Sequence, residues 1–129
     1  MIKRQGFVSN SSSSSFIIAY DKKVFGDMEK AFEDDKFGGY GNAIMKVISD
    51  ADKFIDETTE DNEEIDIVVE IRDGEKEDEI REAMKKASNE GKTLAYVNTD
   101  MGIDEGLLTI WKEINRKHGG NAFKLIYKQ

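Results

Sequence analysis

Ile65-Asp66-Ile67-Val68-Val69-Glu70-Ile71-Arg72 is the stretch on which the fold turns. Its odd-numbered positions are all apolar and β-branched, and three of its four even-numbered positions are charged. Period-two alternation of this kind predicts a strand with one buried and one solvated face. Asp73-Gly74 closes it as a turn. The flanking segments have helical period instead. Upstream, Ile44, Val47, Ile48, Ala51, Phe54 and Ile55 predict an amphipathic helix, and Glu57 to Glu64 an acidic loop. Downstream, Ile80, Ala83, Met84 and Ala87 predict another helix, stopped near Asn89-Glu90-Gly91.

Working outward, Phe16-Ile17-Ile18-Ala19-Tyr20 and Leu94-Ala95-Tyr96-Val97 are continuous apolar runs, the signature of strands buried on both faces. Ala122 to Lys128 alternates, with Phe123, Leu125 and Tyr127 on one face and Lys124 and Lys128 on the other. Helical spacing recurs at Val24, Phe25, Met28, Ala31 and Phe32, and again at Leu107, Ile110, Trp111 and Ile114, the latter behind an Asp104 N-cap and ended by Gly119-Gly120. Strands separated by helix-length segments favour parallel pairing through crossovers. The two apolar runs belong inside the sheet. The two charged strands belong at its edges, where Asp66, Glu70, Lys124 and Lys128 blunt them. The expected fold class is therefore α/β: a small, mostly parallel four-stranded sheet in the flavodoxin-like order 2-1-3-4, with helices packed on it. A mixed sheet with one covered face is the alternative.

The 129 residues suit one domain, a single α/β domain over 16–129 preceded by a Ser-rich motif over 1–15. At 38% hydrophobic and 36% charged, with clear apolar period, the chain reads as globular and acidic, net −8. No apolar run approaches the roughly 20 residues of a membrane helix, and the first fifteen residues have no apolar stretch of a secretory signal. The expected location is cytoplasmic. Without cysteine there is no disulfide, thiol nucleophile or thiolate metal site. The charge is uneven: residues 50–82 hold 16 Asp/Glu against 4 Lys/Arg. Such a surface repels phosphates, so no direct nucleic-acid binding is expected. It reads as a solvated face or as a docking surface for a basic protein partner.

In the doubly wound order, strands 1 and 3 end side by side, and ligands bind beyond such ends. Asp21, Asn98 and Asp100 would converge there, with Lys22 or Lys23 nearby. Carboxylates so placed suit Mg²⁺ and a phosphate or nucleotide, although Asp and Asn also follow strands simply as caps. Phe37-Gly38-Gly39-Tyr40-Gly41-Asn42 lacks the Lys-Ser/Thr ending of a phosphate loop and reads as a connection, with Phe37 and Tyr40 either anchoring that loop or available as aromatics to a partner. His118, the sole imidazole, falls at a helix end where a cation meets the dipole favourably.

Gly6-Phe7-Val8-Ser9-Asn10-Ser11-Ser12-Ser13-Ser14-Ser15-Phe16, preceded by Lys3-Arg4-Gln5, is the most distinctive stretch. It resembles an N-terminal GFVSNSSSSSF motif of scattered uncharacterised phage, bacterial and archaeal proteins. The resemblance covers Lys3 to Phe16, about a tenth of the chain, and it implies a prokaryotic or phage origin and a shared role for the N-terminus, with no catalytic residue carried over. Three physical roles stand open: a modification target, since each phosphate adds about −1.5 to −2 charges; a tag that adds to a partner's sheet edge; or a segment that folds onto its own sheet. The interaction residues are then Gly6, Phe7, Ser9, Asn10, Ser11 to Ser15 and Phe16. The leading expectation is a non-enzymatic interaction or regulatory module; the alternative is a Mg²⁺-dependent nucleotide or phosphate enzyme.

Overall fold

Both continuous apolar runs become inner strands. The computed structural model describes residues 13–26, 44–58, 65–100 and 103–129. Strand β1 (Ser13–Tyr20) pairs along its length with β3 (Thr93–Asp100), from Ser13 opposite Asp100 to Tyr20 opposite Thr93. Its other side pairs with β4 (Phe123–Lys128), where Ile126 is the extra residue of a bulge between the Ile17–Tyr127 and Ile18–Leu125 pairs. The second edge is β2 (Ile44–Ile48), paired with β3. The order is β2-β3-β1-β4 and every pair is antiparallel.

The expectation of a mostly parallel sheet in order 2-1-3-4 is thus overturned, and its source lies in two misread segments. Ile65–Asp73 is a helix, α3, rather than a strand. Ile67, Val68 and Ile71 are buried while Val69 is 40% exposed, which is spacing i, i+1, i+4 rather than alternation. The β-branched content that favours strands was overridden by packing. Conversely, residues 44–55 are not one helix. They form β2, then a break at Ser49-Asp50, then α2 (Ala51–Glu57). Asp50 caps α2, its Oδ1 accepting from the Lys53 amide at 3.1 Å.

Two further helices complete the described chain: α4 (Glu77–Asn89) and α5 (Ile103–Lys117), besides the single turn α1 (Lys22–Phe25) after β1. Gly91, at φ +86°, supplies the left-handed residue that ends α4, and the Lys92 amide returns to Ala87 O at 3.0 Å. Because β3 and β4 are both antiparallel to β1, they are parallel to each other, and α5 links them across it. This is a split βαβ unit. The antiparallel β2–β3 pair needs only a short turn, yet its link here carries α2, α3 and α4.

These insertions decide how the sheet is covered. Ile17, Ala19, Leu94 and Tyr96 face α2, α3 and α4, packing on Ile55, Ile67, Ile71, Ile80 and Met84. Phe16, Ile18, Tyr20 and Val97 face the other way, onto Leu107, Leu108 and Trp111 of α5. Trp111 stands edge-on to Phe16 at 6.2 Å between ring centroids and tilted to Phe123 at 5.6 Å. Two covered faces are what continuous apolar strands require.

Candidate functional site

β1 begins at Ser13, so the serine motif runs into a central strand, and the boundary expected after Ser15 lies within that strand. Ser13, Ser14 and Ser15 pair with Asp100, Thr99 and Asn98. Two residue sets that the sequence suggested separately, the serines and Asn98 with Asp100, are thereby brought to one end of the sheet. Ser15 is buried; its Oγ accepts from Asn98 Nδ2 at 2.7 Å and lies 3.3 Å from the Tyr96 hydroxyl. Neither neighbour is a general base, so this trio works as a polar lock on the β1–β3 register rather than as an activated nucleophile. Gln129 N donates to Ser15 O at 2.9 Å, tying the strand's other edge. Thr99, fully buried, holds an Oγ1 with no hydrogen-bond partner among the described residues.

Asp21 is elsewhere. Antiparallel pairing sends it to the opposite end of β1, roughly 25 Å from Asp100 along an eight-residue strand at about 3.4 Å per residue. There it caps α1, its Oδ1 accepting from Lys23 N at 2.9 Å, while its amide donates to Ala122 O at 2.8 Å. The three residues expected to hold Mg²⁺ therefore do not meet. Among the described residues no group of three His, Asp or Glu is placed to hold a metal ion. His118 Nδ1 donates to Ile114 O at 2.9 Å, closing the end of α5. Gly6, Phe7, Ser9 to Ser12, Phe37 and Tyr40 lie outside the described residues.

The acidic stretch has a definite place. Asp56, Asp66, Glu70, Asp73, Glu75, Asp78, Glu79 and Glu82 are exposed on α2, α3, α4 and their turns, the layer that covers one sheet face. Arg81 holds part of that layer together. Its Nη1 lies 2.8 Å from Asp52 Oδ1, and its Nη2 2.5 Å from Asp56 Oδ1 and 2.8 Å from Glu77 Oε2. Hydrogen bonds from Lys85 first, then Arg81, hold the Asp52 carboxyl below its usual range, and the Arg81 hydrogen bond does the same for Asp56. Arg72 reaches from α3 to the end of α2, donating to Ile55 O at 2.6 Å and Thr58 O at 3.0 Å.

At the margin of this layer, the α3–α4 turn and β4 line an open cavity of about 310 Å³. The Tyr127 hydroxyl donates to Glu70 Oε1 at its edge. Burial, then this carboxylate, pushes the Tyr127 phenol up to about 12. The period-two pattern hides this pairing, because it places Glu70 on a strand edge. The signal that exposes it is the 67, 68, 71 apolar stripe, which turns Glu70 away from the core on a helix.

No family model, curated protein or solved structure matches the chain.

Proposed function

We propose that this chain is a non-enzymatic interaction or regulatory module of phage or prokaryotic origin, working in the cytoplasm. Its N-terminal serine motif and its acidic helical layer take a protein partner with a basic surface. The supporting observation is the concentration of exposed carboxylates on α2, α3 and α4, on one side of the sheet. Opposite charge on a partner would steer encounter and fix register, with an ionic-strength dependence. The motif contributes in two parts. From Ser13 onward it belongs to the fold. The preceding residues, Gly6 to Ser12, carry the recognition role.

The test is partner capture from a bacterial host lysate with three proteins: the full chain, a truncation lacking Met1–Asn10, and a triple variant Asp73→Asn, Asp78→Asn, Glu82→Gln. Retention of a specific partner is expected to fall in both variants, and in the full chain at high salt, while cooperative unfolding stays as it was. Equal retention by all three proteins would refute the proposal.

A further inference from the structure

We infer that the cavity between the end of α4 and the start of β4 binds a phosphate group, free or as the ester of a small molecule. It is separate from the acidic docking surface and opposite to it in charge. Lys86 from α4, Lys92 beyond its end and Lys124 from β4 line a space of about 250 Å³, against one carboxylate, Glu90. Three ammonium groups and one carboxylate leave a surplus of two positive charges, in a chain whose net charge is −8. The carboxylate is already engaged, since Lys92 Nζ lies 3.2 Å from Glu90 Oε1. The Lys92 side chain is 9% exposed, so packing holds its ammonium at the cavity and little rotamer freedom remains to be lost on binding. Lys86 and Lys124 meet no carboxylate among the described residues.

Lysines near a helix end often serve its last carbonyls, and that role is closed here. The carbonyls of Lys86, Ala87 and Ser88 accept from the amides of Glu90, Lys92 and Gly91, each at 3.0 Å. At the end of α5, Asn115 O accepts from Gly120 N at 2.9 Å. The chemistry of the remaining groups selects the ligand. Ammonium groups only donate, and Asn121 adds an amide donor, so the ligand must be rich in acceptors. A metal cation is repelled. A carboxylate brings one charge, whereas a phosphate ester brings about −1.5 to −2 charges and three strong acceptor oxygens, matching the surplus of two. Ala83, Ala87 and Gly120 complete the lining and are too short to fill the space themselves. At about 250 Å³ the cavity is smaller than the roughly 300–1,000 Å³ of drug-sized ligand sites, which suits a phosphate on a small carrier rather than a nucleotide. The carbons of an ester have a path outward. A groove of about 480 Å³ shares Ala83 and Lys124 with the cavity and runs along β4 to Tyr127, with Lys76 and Lys128 against Glu79.

The experiment follows the amide NMR spectrum of the full chain during titration with inorganic phosphate, with glycerol phosphate, and with chloride at matched ionic strength. Lys86→Gln, Lys124→Gln and Lys112→Gln are titrated alongside; Lys112 is exposed on α5 and does not line the cavity. Phosphate should shift the Lys92, Gly120 and Asn121 amides saturably, and chloride should not. Lys86→Gln and Lys124→Gln should each weaken binding about tenfold, the loss of one charge-assisted hydrogen bond, while Lys112→Gln leaves it unchanged. Tighter binding of glycerol phosphate than of inorganic phosphate identifies an esterified small molecule as the source; equal or weaker binding identifies free phosphate. Shifts that do not saturate, or that chloride reproduces, overturn the site, and that comparison uses the wild-type chain alone, so it holds even if a variant folds poorly. The same affinity in all three variants also overturns it.

Discussion

Phe16 is the last residue of the serine motif, and its replacement tests whether the motif is joined to the core. Its side chain is fully buried, beside Trp111 at 6.2 Å and among Ile18, Val97 and Leu107. Phe16→Ala removes the ring's transfer energy, leaves a cavity against Trp111 and breaks an edge-to-face pair. Truncations of this kind cost about 3–5 kcal/mol, and the aromatic pair accounts for about 0.5–1.5 kcal/mol beyond area burial. A domain of this size has a total stability of about 5–15 kcal/mol, so the loss is a large share of it. With a urea slope of about 1–3 kcal/mol per molar, the midpoint should fall on the order of 2 M. Trp111 is the chain's one tryptophan and sits at the perturbed contact, so its emission reads the transition directly. Two comparisons bracket the result. Phe16→Leu should lose about 1–2 kcal/mol. Deletion of Met1–Asn10 should leave the stability within about 0.5 kcal/mol, since it removes no residue of β1. A Phe16→Ala loss below about 1 kcal/mol with an unchanged slope would refute the claim that the motif ends inside the core.

Three other outcomes follow from single contacts. Gly74→Ala would place a Cβ 2.9 Å from the Glu70 carbonyl oxygen, so thermal melts should show a loss of about 1–3 kcal/mol, whereas Gly106→Ala, in open space on α5, should gain about 0.5–1 kcal/mol; the same sign at both sites would contradict the backbone geometry. Asn115 Oδ1 accepts from Ala122 N at 2.6 Å and Phe123 N at 3.0 Å, joining α5 to β4. Asn115→Ala should therefore cost about 1–3 kcal/mol by denaturant titration and Asn115→Asp distinctly less, because the acceptor remains; equal losses would show that the contact is not the cause. Asp52 and Asp56 titrate below their unfolded values, so their contribution is present above the usual carboxylate range and fades as pH falls through their folded values. Arg81→Met should flatten that acid limb of the pH–stability curve, and an unaltered limb would show that the Arg81 network carries no proton linkage.

The inner half of the architecture was readable because burial on both faces leaves one pattern, an unbroken apolar run, and β1 and β3 both have it. The outer half was not, because a half-buried helix and a half-buried strand can share a sequence. Ile65, Ile67, Val69 and Ile71 satisfy period two; Ile67, Val68 and Ile71 satisfy a helical stripe; only the sheet's own requirement for cover decides which face is buried. In residues 44–55 the apolar spacing was helical throughout, and the decisive local sign was Ser49-Asp50, an N-cap in mid-pattern. Strand direction then followed from the wrong roster of strands. With α3 removed from the sheet, parallel strands are no longer neighbours: β3 and β4, joined through α5, flank β1, and β1 and β2 flank β3. The expected ligand set failed for the same reason: Asn98 and Asp100 moved to the serine end, Asp21 to the other.

That rearrangement bears on what the serine run does. Of its three open roles, pairing with its own sheet is realised from Ser13 onward, with Ser15 enclosed by Tyr96 and Asn98. A phosphate on Ser15 would bring about −1.5 to −2 charges into a site with one amide donor and one phenol, too little to offset its desolvation. Modification of Ser15 and the β1–β3 register therefore exclude one another. The motif is then divided by position: from Ser13 it pairs in the central strand, with Phe16 against Trp111, and the recognition role proposed above falls to the residues before it. The same division runs through the rest of the chain. The β2–β3 link, longer than the turn that antiparallel pairing needs, both covers one sheet face and carries the acidic layer and the cavity beside Tyr127 on its outer side.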